Sequence, residues 1–281
     1  MDWQSIGEEL SRTKPAEWRH SMRLGILAAL LAIVAGIAYW TVVRQREQAR
    51  WVTGYQEASD SYERMHYADA EAQLRMLLPE ANKPDNHRSA LTMNLLALVY
   101  HAEGRRKEAE PLFEKAIHIF EKEGSTSLMD LAKACNNEGR IYLEENREQE
   151  AEQRLQQALA IFQKEPAAAG AELGSALQNL GLVRRRQKRD TQAQSLLEQA
   201  VQVFERNLFP TDLSLAQGYL DLADQYRFNG LLKSAQEMDQ KALFIQERAF
   251  GSDSAVVKET RARIAQESKS APSATGARVT R

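Results

Sequence analysis

The sequence predicts an all-α fold, an α-solenoid of stacked helical hairpins preceded by one transmembrane helix. The first observation is a repeat. Ala109, Ala151, Ala193 and Ala235 stand 42 residues apart, as do Ala116, Ala158, Ala200 and Ala242, and Ala97 is followed by Gly139, Gly181 and Ala223. Four units in one register, without drift, are the mark of a repeat array. The second observation is the stretch 24–43, twenty residues without a charge, flanked by Arg23 and Arg44. Composition agrees: 27% charged, 43% hydrophobic, 14 Gly and 7 Pro in 281 residues is a helix-rich balance rather than a disordered one.

Within each unit the apolar residues return at helical spacing. In the first unit Leu91, Leu95, Leu98 and Ala102 follow that spacing, with Met93, Leu96, Val99 and Tyr100 beside them. A turn near Gly104 separates a first helix from a second. Ala97 and Ala109 fall where the two helices approach most closely, and Ala116 where the second helix meets the next unit. The small residue, tyrosine, glycine, alanine, aromatic and alanine of Ala97, Tyr100, Gly104, Ala109, Phe113 and Ala116 resemble the tetratricopeptide repeat family in order and spacing. The 42-residue period and the pairs Ala109-Glu110 and Ala151-Glu152 resemble its kinesin-light-chain type. The resemblance spans roughly residues 50 to 250 and implies a right-handed superhelix of helix hairpins. It specifies fold far more closely than function.

Residues 1–23 form a short polar segment with Arg12, Lys14, Arg19 and Arg23 against Asp2, Glu8, Glu9 and Glu17, and with Trp3 and Trp18. As a helix, 24–43 rises about 30 Å, the thickness of a bilayer's hydrocarbon core. Tyr39 and Trp40 lie near one end of it, where aromatic residues favour the interface. Against a buried helix of a soluble domain, the helices of a repeat array have a polar face, and this stretch has none. A signal peptide cleaved after Ala38, at the small residues Gly36 and Ala38, is the alternative, but the apolar run continues past that site. Ala28, Ala32 and Gly36 lie four apart on one face and hint at a homodimer. Four Lys/Arg before the span against Arg44, Arg46 and Arg50 after it decide orientation weakly. A short amino tail, one span and a long folded domain is the layout of an uncleaved signal anchor. The expectation is a single-pass protein with its repeats outside the cytoplasm, in the periplasm if the membrane is a bacterial inner membrane.

Residues 44–82 read as a degenerate first hairpin. Ala70-Glu71, Leu74 and Leu77 echo Ala109-Glu110, Phe113 and Ala116 at an offset of 39 instead of 42. With no strong breaker between Val43 and Tyr55 apart from Gly54, the span is expected to run straight into this hairpin. The four regular units occupy 88–250, joined by turn-forming stretches at 83–87, 124–127, 165–170 and 209–212. A capping helix is expected over 253–268, with Ala255, Val256 and Ile264 facing inward, and a disordered tail over 270–281.

No catalytic constellation emerges, and the chain is not expected to be an enzyme. His20, His66, His87, His101 and His118 lack metal-ligand spacing, and no phosphate-binding or nucleophile motif occurs. No metal or cofactor is implied. A net charge of −2, with all four Trp at or before residue 51, disfavours nucleic acid. Cys135 stands level with Met93, Leu177 and Tyr219 and reads as a buried apolar residue.

In the resembled family the first helices face a concave groove. By register that face carries Asn94, Asn136, Gln178 and Leu220; then Leu95, Asn137, Asn179 and Asp221; then Leu98, Arg140, Leu182 and Asp224. Further along come His101, Leu143, Arg185 and Arg227, then Ala102, Glu144, Arg186 and Phe228. Amides are disfavoured or neutral inside helices, so their return needs a reason. Each offers donor and acceptor, and a ladder of them can hold the backbone of an extended peptide. The resemblance implies that role for Asn137 and Asn179 above all. The arginines would attract acidic groups, opposed by Asp221, Asp224 and Glu144. The alternative is that the amides pair between units and stiffen the array. The function expected is a membrane-anchored scaffold or assembly factor for protein or peptide partners. A self-associating structural protein and a chaperone-linked or sensory module are the alternatives.

Overall fold

The computed structural model describes residues 16–81 and 86–270. The start of the polar segment, most of the first inter-unit turn and the 271–281 tail lie outside the described residues.

The chain opens with α1 (Ala16–Glu63), a single helix of 48 residues. Its amino-terminal part is exposed throughout 22–42. Among the described residues it is the one helix long and apolar enough to cross a bilayer. Its carboxyl-terminal part is the first helix of a hairpin completed by α2 (Tyr67–Ala81). The two meet through small residues. Ala58 and Ala70 are buried, and a Cβ on Gly54 would come within 3.1 Å of Leu77.

Four hairpins follow: α3 (His87–Ala102) with α4 (Arg106–Glu123), then α5 (Leu128–Glu144) with α6 (Glu148–Phe162). After the short α7 (Pro166–Ala169) come α8 (Ala171–Arg186) with α9 (Asp190–Asn207), and α10 (Leu213–Phe228) with α11 (Leu232–Phe250). The last helix is α12 (Ala255–Ser270). Asn86 and Ser89 form a reciprocal capping box on α3, and the Asp212 carboxylate caps α10.

The repeated small residues are buried between helices: Ala109, Ala151, Ala193 and Ala235 inside hairpins, Ala116, Ala158, Ala200 and Ala242 between units. At Gly139 and Gly181 a Cβ would meet Leu155 at 2.7 Å and Leu197 at 2.9 Å. The turns keep the same register. Gly104, Asn146, Lys188 and Gly230 all take positive φ, and Met65 does so 39 residues before Gly104. The 39-residue offset of the first hairpin is therefore present in the backbone itself.

The glutamates of the Ala-Glu pairs tie neighbouring units. Glu71 accepts from Arg105 at 2.7 Å, Glu110 pairs with Arg147 at 2.9 Å, and Glu152 with Arg184 at 2.7 Å. Arg105 and Arg147 also lie over the rings of Tyr100 and Tyr142. Cys135 is buried, and burial pushes its thiol up to about 12, so it is inert.

First helices touch their successors: α3 meets α5, α5 meets α8, and α8 meets α10. The second helices α4, α6, α9 and α11 make no comparable contact with one another. The stack therefore bends toward its first helices, which line the inner side of the curve.

The closing helix differs from expectation in its inner face. Val257 and Thr260 are buried, whereas Ala255 and Val256 are exposed. The reason is polar. Thr260 Oγ1 donates to Gln246 at 2.9 Å, and Arg263 reaches the fully buried Asp239 at 2.7 Å.

Candidate functional site: the inner face of the first helices

The inner face is a set of polar rungs linking residues 43 apart, position n of one unit to position n+1 of the next. Asn179 Nδ2 donates to Asn136 Oδ1 at 3.1 Å, with both residues buried. Gln178 Nε2 donates to Asp221 Oδ2. Burial drives the Asp221 carboxyl above the ordinary carboxylate range, against the bonds from Gln178 and Gln217 and the nearby Arg185 charge. His101 Nε2 meets Glu144 at 2.7 Å, and the Arg186 guanidinium donates to the Leu143 carbonyl and to Asn146. These bonds join first helix to first helix, the contacts that bend the stack.

One rung of the amide series is open. Asn94 and Asn137 occupy the positions that Asn136 and Asn179 fill one unit later. Asn94 Oδ1 is buried and accepts no hydrogen bond from a described residue. Asn137 is half-buried, and its amide has no described hydrogen-bond partner.

The expected residues therefore fall into two groups. Asn136 is bonded to Asn179, and Gln178 to Asp221, which also accepts from Gln217. Arg140 pairs with Glu144, and Arg227 is held by Asp224 and Asp239. Asn137 and Arg185 are half-buried and have no described hydrogen-bond or ion-pair partner, and Asn94 Oδ1 is enclosed and unmet. Tyr62 of α1 lies near this face: burial raises its hydroxyl above the ordinary value, and the nearby Arg140 charge opposes that rise.

Sequence reasoning missed two buried charge clusters. Glu138, 1% exposed, pairs with Arg154 Nε at 2.6 Å and accepts from the Tyr142 hydroxyl at 3.1 Å. Asp239 is gripped by Arg227 and Arg263, each at 2.7 Å. The signal was present in the register: Glu138 stands where other units have Leu96, Leu180 and Leu222, and Asp239 where they have Phe113, Leu155 and Leu197.

A tetratricopeptide repeat model matches residues 81–164 and 172–248. The chain belongs to the tetratricopeptide repeat family. Among solved structures it is similar to BtubC (BKLC) from P. vanneervenii, at 22% identity over 69% of this chain and 78% of that one, with a TM-score of 0.57. It is also similar to kinesin-light-chain TPR-like repeats of Podosopora anserina, at 22% identity over 72% and 97% with a TM-score of 0.55. Pseudomonas aeruginosa pilF aligns at 22% identity over 79% and 92%, with a TM-score of 0.55. At these identities the likeness is one of fold. No curated protein sequence matches the chain. The tetratricopeptide repeat fold makes this a protein of the interaction-scaffold class.

Proposed function

We propose that this tetratricopeptide repeat protein is a membrane-anchored scaffold that holds an extended segment of a partner protein against its first helices. The span is residues 24–43, with the amino end in the cytoplasm and the repeats outside it. The observation that carries the peptide reading is the open rung. Asn137 on α5 is half-buried with an amide that no described residue engages, so it can offer donor and acceptor to the backbone of an extended peptide. Arg185, two units on from Asn94, adds a cation without an ion-pair partner among the described residues. Asn136 and Asn179 have the other task, fixing the curvature on which that site depends.

The two roles separate by mutation. Asn137→Ala is expected to abolish photocrosslinking of a partner from the groove in intact membranes while leaving the melting temperature unchanged. Asn179→Ala breaks a buried amide pair and is expected to lower stability. If Asn137→Ala leaves partner capture intact, the open rung is not the binding element.

A further inference from the structure

The direction of α1 places one edge of the solenoid at the membrane, an inference that rests on the anchor reading above. Trp51 lies eight residues beyond Val43, about 12 Å along the helix. Its Nε1 donates to Thr92 Oγ1 at 3.1 Å, which sets the level of α3 against α1. Thr92 is five residues into α3. The start of α3 therefore lies only about 5 Å beyond the end of the span, within the headgroup layer. Arg88, in the first turn of α3, sits over Trp51 at that level, and Arg44 sits over Trp40.

Helices alternate in direction along the chain, so every second-to-first connection shares this edge. Among the described residues those are 124–127, 163–170, 208–212 and 251–254. The positive-φ turns at Met65, Gly104, Asn146, Lys188 and Gly230 form the opposite edge.

In the fourth unit the near edge carries an aromatic patch that the repeat does not need. Phe209 is 83% exposed and Phe244 54% exposed, with Leu213 and Phe250 also exposed. Other units have Ser125 and Ala167 in place of Phe209, and His118, Ala160 and Gln202 in place of Phe244. Beside them is an open cavity of about 550 Å³ lined by Pro210, Leu215, Tyr219, Phe244 and Ile245 among others. Arg248 lies over the Phe244 ring at 5.6 Å, and the exposed Arg206 makes no ion pair with a described residue. Of the acids nearby, Asp212 caps α10 and Glu205 is paired with Lys241, leaving Glu237 and Asp253. Exposed aromatics with arginine are the chemistry of an interfacial lipid contact. A contiguous apolar patch of this kind marks an interaction site rather than ordinary surface.

We propose that the near edge of the solenoid faces the bilayer that holds α1, and that the Phe209–Phe244 patch is a second contact with its interfacial lipid. The full-length protein is placed in nanodiscs holding one copy, with lipids spin-labelled near the headgroup and, to report on the span's centre, near the acyl-chain end. An environment-sensitive fluorophore is attached to single introduced cysteines: Ile33→Cys in the span, Phe209→Cys, and Met65→Cys on the far edge. Cys135 is buried and does not react.

The expected result is a blue shift and loss of emission at positions 33 and 209, with neither at 65. In a Phe209→Ser/Phe244→Gln protein, a label at Asn207→Cys is expected to lose the quenching it shows with the patch intact. Both side chains are exposed, so the fold survives these replacements. A bright, unshifted label at 209 beside a quenched label at 33 overturns the second contact and leaves the anchor standing. An unquenched label at 33 overturns the anchor and this contact with it. Shielding of 209 in two-copy but not one-copy discs assigns the patch to a second molecule and overturns the lipid contact.

Discussion

The Glu138–Arg154 pair offers a direct test of how the second unit is held together. Equivalent positions are Leu96 with Leu112, Leu180 with Leu196, and Leu222 with Met238. The second unit alone puts a carboxylate and a guanidinium where its neighbours pack two hydrophobes. Glu138 is 1% exposed, Arg154 24%, and their contact is 2.6 Å. Arg154→Leu leaves a buried carboxylate with one remaining donor, the Tyr142 hydroxyl. Breaking a buried pair from one side costs about 3–5 kcal/mol, and that is the loss expected by denaturant unfolding near neutral pH. Glu138→Leu is expected to cost less, because the half-buried Arg154 can turn its head to water. The double replacement restores the leucine pair of the first and third units and is expected to be neutral or stabilising by about 1–4 kcal/mol.

The pH dependence follows from the same geometry. Burial already raises the Glu138 carboxyl above its ordinary value, against the opposing pull of Arg154 and Tyr142. A raised carboxyl is favoured neutral in the folded protein, so the fold binds more protons than the unfolded chain. Stability from this group is thus present below the unfolded value of 4.5 and falls as pH rises through the folded value. Removing Arg154 raises that folded value further. The difference between wild type and Arg154→Leu is therefore expected to be small in acid and to grow toward neutrality. An Arg154→Leu loss under about 1 kcal/mol near neutral pH, or a double mutant as unstable as the single one, refutes the claim that this pair carries the second unit.

Three further outcomes are expected. Asp239→Asn strips the carboxylate shared by Arg227 and Arg263, each 2.7 Å away. Amide exchange across α12 should then accelerate by roughly 10²–10⁴-fold, for a local loss of about 3–5 kcal/mol, while α3 to α6 keep their protection. Gly139→Ala drives a Cβ to within 2.7 Å of Leu155 and is expected to cost about 1–3 kcal/mol in chemical denaturation. Gly36→Ala meets nothing within 4 Å and should cost nothing in the same assay. Lys188 holds φ at 58°, where Gly104 and Gly230 hold 75° and 77°. Lys188→Gly removes that strain and is expected to stabilise by about 0.5–1 kcal/mol, read as a higher denaturation midpoint.

Much of the fold was legible because the repeat compares each residue with its own counterparts. Ala109 and Ala116 mean little alone. Their return at a fixed step identifies the two close approaches every hairpin must make, and the offset of 39 separates the first hairpin from the rest. What stayed hidden was anything that compensates across positions. Glu138 looks like an error until Arg154, sixteen residues on, is seen to replace Leu112's equivalent at the same time. Asp239 is answered by Arg263 from the closing helix, outside the repeat altogether. The inner face of α12 was misjudged for that reason, since its docking is polar as well as apolar.

The inner face shows why equivalence and contact are different questions. A step of 42 finds equivalent residues, and that is how Asn136, Gln178 and their neighbours were recognised as a series. Contact between first helices runs at 43, so Asn136 is bonded to Asn179 rather than to Gln178. A linear reading therefore finds every amide yet cannot say which are spent. The distinction matters for function because the rungs are not interchangeable. Each closed rung draws two first helices together and commits one donor and one acceptor of its amides, so it has less to offer a partner than an open one. Curvature and the proposed binding draw on the same face. Here the Asn94–Asn137 rung is open between two units whose neighbouring His101–Glu144 contact holds the same helices in place. On the proposed reading, a partner engages Asn137 about two turns away from the contact that holds α3 to α5.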